Sequence, residues 1–220
     1  WTDTAGATIN NGAVFWMAPT DGPAGKAIVA QITTSGDFDA VINAQGRSSG
    51  GADDWQARGI AFSSTGGSGG GGGGAGGSCV DDTCGTVEVT STGAKGTTYQ
   101  LSITPKSSAS NMYTIFGDAS NDMVIPAGYQ EPAPFGANTG GVSAGFIAVI
   151  PTAAFDSWLT VGITDGDASG ALGSVGIDFS AWTDTAGATI NNGAVFWMAP
   201  TDGPAGKAIV AQITTSGDFD

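Results

Sequence analysis

Residues 1–39 of this chain, WTDTAGATINNGAVFWMAPTDGPAGKAIVAQITTSGDFD, recur as residues 182–220 without one substitution, at an offset of 181 residues. A half-buried strand constrains only its inward side chains, so two copies kept for their fold alone would diverge at exposed positions. Identity in turns and strands alike points to a tandem array whose units are recently copied or held uniform, and such a repeat governs the architecture. The 220 residues therefore read as a window on a longer chain, one period of 181 residues plus 39. The first copy runs on from Asp39 into Ala40-Val41-Ile42-Asn43-Ala44, an apparent strand, so the window is expected to close between a turn and the strand it introduces. Targeting and anchoring sequences are expected outside it.

Thirty-eight Gly, no His, eighteen Asp and two Glu make a poor composition for helix and a good one for short strands joined by turns. With 40% apolar residues, including ten Phe and six Trp, the chain can still build a core. The expectation is an all-β protein of antiparallel, jelly-roll-like β-sandwich modules in a tandem array. No apolar run approaches the ~18 residues of a membrane span. Six basic residues, Lys26, Arg47, Arg58, Lys95, Lys106 and Lys207, against twenty acids give a net charge of -14. Nucleic acid is excluded as a partner, since phosphate binding needs clustered Lys and Arg. Acidity of this kind serves solubility and mutual repulsion between modules, or divalent-cation binding by Asp-rich loops.

In chain order, Ala13–Met17 reads as a strand ended by a Pro- and Gly-rich turn, and Ala27–Thr34 as the next. A third strand begins around Phe38, Val41 and Ile42, and Trp55–Phe62 forms a fourth. The tract SSTGGSGGGGGGAGG over residues 63–77 then breaks the pattern. Ordering so many Gly costs too much backbone entropy for a packed core, so the tract, including Gly66, Gly70, Gly74 and Gly77, reads as a linker. Its twelve residues from Gly66 to Gly77 would span ~20 Å as a coil. The other reading is an ordered polyglycine packing layer, open only to Gly. Beyond it, Thr86–Thr92 and Thr97–Thr104 alternate as half-buried antiparallel strands. Met112–Phe116, Met123–Ile125, Phe146–Ile150, Phe155–Thr164 and Val175–Phe179 are further expected strands. With the tract as boundary, residues 1–62 are the C-terminal half of one module, 63–85 the linker and Cys loop, and 86–220 most of the next module. A strand crossing between modules, as in donor-strand exchange, would fill the positions each module lacks.

Cys79 and Cys84 are too few for a structural zinc site. They read as a local disulfide, which implies an oxidising, extracellular compartment, or as free thiols in a cytosolic protein. The stretch Thr164-Asp165-Gly166-Asp167-Ala168-Ser169-Gly170 sets oxygen side chains at alternating positions, as the start of a calcium loop does, with Asp165, Asp167 and Ser169 as ligands. No Glu stands at the twelfth position, and a plain solvated turn fits equally. Asp118 with Asp122, Asp37 with Asp39, and Asp53 with Asp54 are weaker candidates. No cofactor other than calcium is indicated.

Without His there is no Ser-His-Asp or Cys-His arrangement, and nothing selects an Asp or either Glu, Glu88 or Glu131, as a raised-pKa acid. The chain is read as a non-enzyme. Trp1, Trp16, Trp55 and Trp158 would form a sugar platform only as an exposed row; each lies in or beside an apolar strand, which favours the core. No Asn-x-Ser/Thr sequon occurs, and Ser and Thr of the Gly tract are candidates for O-linked sugars.

The stretches Thr98-Tyr99-Gln100-Leu101, Phe155-Asp156-Ser157-Trp158-Leu159-Thr160-Val161-Gly162, Val14-Phe15-Trp16-Met17, Asn43-Ala44-Gln45-Gly46-Arg47 and Asp54-Trp55 together resemble the repeated β modules of large secreted or surface proteins of bacteria and single-celled algae. The resemblance covers most of the period outside the Gly tract and implies location and repetition, not chemistry. The function expected is a structural unit of an extracellular filament or cell-surface fibre whose partners are neighbouring copies of itself. The other class is a carbohydrate- or surface-binding adhesin acting by avidity, with glycans as partners. A calcium role predicts that a chelator lowers the thermal midpoint; an unchanged midpoint removes it.

Overall fold

The computed structural model describes residues 7–10, 28–32, 38–49, 53–64 and 76–215, the first two stretches by backbone alone. Its strands are β1 (Ala7–Asn10), β2 (Ile28–Ile32), β3 (Asp39–Arg47), β4 (Asp54–Ser63), β5 (Gly76–Gly77), β6 (Cys79–Val80), β7 (Thr83–Gly93), β8 (Gly96–Thr104), β9 (Thr114–Gly117) and β10 (Met123–Ile125). A short helix α1 (Ala144–Val149) follows, then β11 (Trp158–Leu159), β12 (Leu172–Val175), β13 (Ala188–Asn191), β14 (Gly193–Trp197) and β15 (Ala208–Thr215). The fold is mostly β, as the composition implies.

Two sheets face each other across one core. The first runs β1-β13-β10-β3-β9-β14-β12, with β4 on the other edge of β3 and β5 beyond it. The second runs β11-β15-β2-β8-β7-β6. Ala40, Ile42 and Ala44 of β3 and Tyr99, Leu101 and Ile103 of β8 occupy every second position and point into a single apolar cluster. That period-2 pattern is what a strand with one buried face requires. Most pairings are antiparallel, and the two parallel pairs both join a strand of the first copy to its counterpart in the second, β1 to β13 and β2 to β15.

A change of parity in β4 shows how sequence dictates backbone. Its buried apolar residues are Trp55 and Ala57, then Ile60 and Phe62, so one residue too many separates Ala57 from Ile60. The ladder with β3 absorbs it as a bulge between the pairs Ala44–Ala57 and Ile42–Ile60. Gly59 supplies the left-handed φ of +74° there, and its N–H donates to Asn43 Oδ1 at 2.8 Å.

The hairpin β7–β8 and the strand β10 lie where the alternation places them. Three expected strands differ. Phe146–Ile150 lies mostly in α1, because Ser143 caps the amide of Phe146 and Ile150 precedes Pro151, which ends the helix. Of Phe155–Thr164 only Trp158–Leu159 is strand, since Phe155 closes a 3-10 turn and Gly162 turns the chain at φ +93°. The strand expected over Val175–Phe179 ends at Val175, where Gly176 takes φ +66° against the Asn192 carbonyl.

Phe62 and Ser63 of β4 pair with Gly77 and Gly76 of β5, so strands on either side of the Gly tract belong to one sheet. Residues 38–63 share the apolar cluster with β8 and with residues 182–211. Gly77 sits against the backbone of Gly85, where a Cβ would come within 2.5 Å. Gly66, Gly70 and Gly74 lie outside the described residues.

Gly59→Ala has room for its methyl, with no atom within 4 Å, so its cost is conformational. Chemical denaturation should show a loss of about 1–2 kcal/mol, the penalty for a left-handed non-Gly residue. A variant as stable as the parent would refute the bulge.

Candidate functional site

The most extensive built feature is the seam along which residues 188–215, the second copy, close the sandwich. β13 pairs with β10, β14 with β9, and β15 with both β8 and β11. Thr98 and Thr214 join through their hydroxyls, and Gln100 Nε2 donates to Gln212 Oε1 at 2.9 Å. Gln212 in turn donates to the carbonyl of Ala154. Thr114 Oγ1 donates to the Val195 carbonyl, and the Met112 amide to that of Pro204.

Two buried asparagines tie distant segments into this seam. Asn111 accepts from the Arg47 amide at 2.9 Å and donates to the Pro200 carbonyl at 2.7 Å, while its own carbonyl accepts from the Trp55 indole at 2.7 Å. It thereby links β3, β4 and the turn after β14. Asn43 donates to the carbonyls of Phe116 and Asn121 and accepts from Gly59. Neither was marked by the sequence pattern, because the partners lie 16 to 89 residues away.

Asp156 is the third residue that sequence reading missed as a centre. Fully buried, it accepts from the amides of Glu131 at 2.8 Å and Ala137 at 2.6 Å, and so pins the Pro- and Gly-rich excursion that leads to α1. Burial pushes its carboxyl up to about 7; the amides of Ala137 and Glu131 pull the other way, and the charge of Glu131 adds to the rise. Gln130 Nε2 and Ser157 Oγ, buried beside it, have no hydrogen-bond partner among the described residues. The Glu131 carboxylate accepts from Tyr129, whose ring lies 4.4 Å from Lys95 Nζ. Both oxygens of Asp156 are spent on backbone amides, so the group acts as a clasp.

Cys79 and Cys84 form a disulfide across the β6–β7 hairpin, facing each other as a strand pair. Asp81 and Asp82 both take left-handed φ, 47° and 63°, as the two-residue turn of such a hairpin requires.

In the 164–170 loop, Asp165 is exposed and its backbone bridges to Gly141. Asp167 directs its carboxylate to the amides of Ala171 and Leu172 and accepts from the hydroxyl of Ser169. Asp165, Asp167 and Ser169 are thus near in sequence, but the Asp167 oxygens serve the loop itself. Among the described residues no three His, Cys, Asp or Glu converge as a metal-holding group. Asp118 pairs with Arg58 and caps Ser120 and Asn121; burial raises its pKa, and these partners outweigh it to hold the carboxyl below its ordinary value. Of the weaker carboxylate pairs, Asp54 binds Arg47 and accepts from Tyr113, and Asp37 lies outside the described residues.

Trp55, Trp158, Trp182 and Trp197 are all buried, and the indoles of Trp55, Trp182 and Trp197 donate to backbone carbonyls. Trp1 and Trp16 lie outside the described residues. No helix among the described residues is long and apolar enough to cross a membrane. The chain matches no protein-family model, and comparison with curated proteins and with solved structures finds no match.

The raised pKa of Asp156 predicts a pH dependence. The fold favours the protonated form, so its contribution to stability is full below the unfolded value of 3.8 and is lost as pH rises through about 7. The difference in stability between the parent and Asp156→Asn, followed by thermal unfolding, should therefore change between pH 4 and 7 and level off above. A difference independent of pH would contradict this.

Proposed function

We propose that this chain is a structural repeat unit of a long extracellular filament or surface fibre, in which folded units abut end to end. The observation that carries the reading is how much of the period one closed fold consumes. The shared core starts at Phe38 and the last strand ends at Thr215. In the repeat, Phe219 stands where Phe38 stood, so three residues separate one unit's last strand from the next unit's first core residue. Four Cα steps reach at most about 14 Å. Units so joined are in contact, which is how a fibre transmits load and how beads on flexible tethers do not behave.

Both ends of the unit meet at one place. The ring of Phe38 packs edge-on against Tyr99 at 5.4 Å, and the backbone of Ile213 registers with the same Tyr99. Successive units then join corner to corner, and the identical sequence of each copy gives each junction the same geometry. The Cys79–Cys84 bond supports an oxidising, extracellular setting. The net charge of -14 keeps neighbouring filaments apart.

The alternative is an adhesin in which the same units hang on flexible connections and bind glycans by avidity. One experiment separates the two. Recombinant chains of one, two and three periods, examined by negative-stain electron microscopy and small-angle scattering, should give rods whose length grows by a constant increment per period. Beads with variable spacing would overturn the fibre reading in favour of the adhesin.

A further inference from the structure

Both copies of the repeated sequence address one edge of one strand. On its first edge β8 is paired by β7, with Ser102 opposite Thr86 and Tyr99 opposite Val89. A strand residue has only two sheet neighbours, because its backbone groups point to two sides. On the second edge, Ser102 registers with Ile209 of the second copy and with Ile28 of the first. Tyr99 registers with Ile213 and with Ile32, and Leu159 of β11 with Ala211 and with Ala30. In every case the two partners are the same residue of the 39-residue repeat. Each copy also reaches Ser102 and Tyr99 through a register shift, between Ile209 and Ile213 in β15 and between Ile28 and Ala30 in β2.

We propose that the second edge of β8, with Leu159, is a receptor for the sequence Ile-Val-Ala-Gln-Ile, and that either copy fills it, which makes this segment exchangeable between the modules on its two sides. The partner is a second copy of the chain's own segment. The proposal rests on the tandem reading above and deepens it.

Connectivity permits both fillings. The second copy enters after the 3-10 turn Phe179–Ala181 and leaves at Thr215, opposite Thr97. The first copy places Ile32 at Tyr99, and six residues later Phe38 packs on that same Tyr99. Residues 1–181 and residues 40–220 each hold every strand of one period, so the chain contains two permuted sets for one sandwich. Gln212 already bonds to Gln100, and Gln31 registers with Gln100 in its turn. In an array each copy has equal claims on the unit before it and the unit after it, the situation in which strands swap between neighbours.

The test uses the 220-residue chain with Ala211→Asp, Ala30→Asp and both together, followed by circular dichroism on heating. Ala211 is fully buried in the seam, so an Asp there disables that copy for the receptor. Interchangeable copies predict that each single variant keeps a cooperative transition near that of the parent, since removing one of two equal claimants halves the statistical weight and no more. The double variant should lose the transition. The proposal is overturned when Ala211→Asp alone is as damaging as the double and Ala30→Asp is silent, since the receptor then belongs to the second copy only. A double variant that unfolds like the parent overturns it equally. Either failure leaves the fibre reading intact, because units closed by a fixed copy still abut, and that reading fails only on the spacing of its units.

Discussion

The backbone N–H and C=O groups along β8 lie among side chains that exclude water: Thr98, Tyr99, Leu101, Ser102 and Ile103 are all buried. A buried backbone group without a partner costs about 1–3 kcal/mol, so neither edge of such a strand tolerates being open. β7 satisfies one edge, and the repeated segment satisfies the other. Once that second edge is paired, β11 has a strand to lie on, and Gln212 can reach both Gln100 and the chain after α1. The remaining strands of the second copy are carried along, β13 onto β10 and β14 onto β9.

Apolar burial alone does not explain why this arrangement is unique, because cores of the right size tolerate many packings. The specificity comes from a few polar side chains placed where a slip would strand them. Asn43 fits only while the Gly59 bulge opposes it, and Asn111 only while Arg47 and Pro200 meet it from different parts of the chain. A one-residue shift of β3 would turn Ala40, Ile42 and Ala44 outward and leave these amides unpaired. Asp156 acts similarly on the loop side, holding Glu131 and Ala137 at a fixed distance from β11.

What could be read in the sequence follows the range of the forces involved. TTYQLSIT announces β8 because alternation is a local property of a strand with one wet face. Cys79 and Cys84 announce their bond because a tight hairpin sets them opposite each other. The bulge in β4 was also present locally, in the change of parity between Ala57 and Ile60. AGFIAV, by contrast, fits strand and helix alike, and Ser143 and Pro151 at its ends decided for helix. The Gly tract marked a change of composition, yet β4 and β5 on its two sides pair with each other, a long-range fact that composition does not carry. Asn43, Asn111 and Asp156 look like any polar residue in a turn-rich chain. Their roles exist only once segments far apart in sequence are brought together.

The meeting of both ends of the unit at Tyr99 has a mechanical side. Thr215 lies opposite Thr97, at the start of β8, and Phe38 packs two residues further along. Tension entering through these two points loads the Thr97–Thr215 pair first, then Thr98–Thr214, then Tyr99–Ile213, so β15 peels from β8 one pair after another. A sheet pulled along its strands would resist with all its bonds together. In the tandem chain proposed above, this peeling order makes the Thr97–Thr215 end of the β8–β15 ladder the first part of a unit to open.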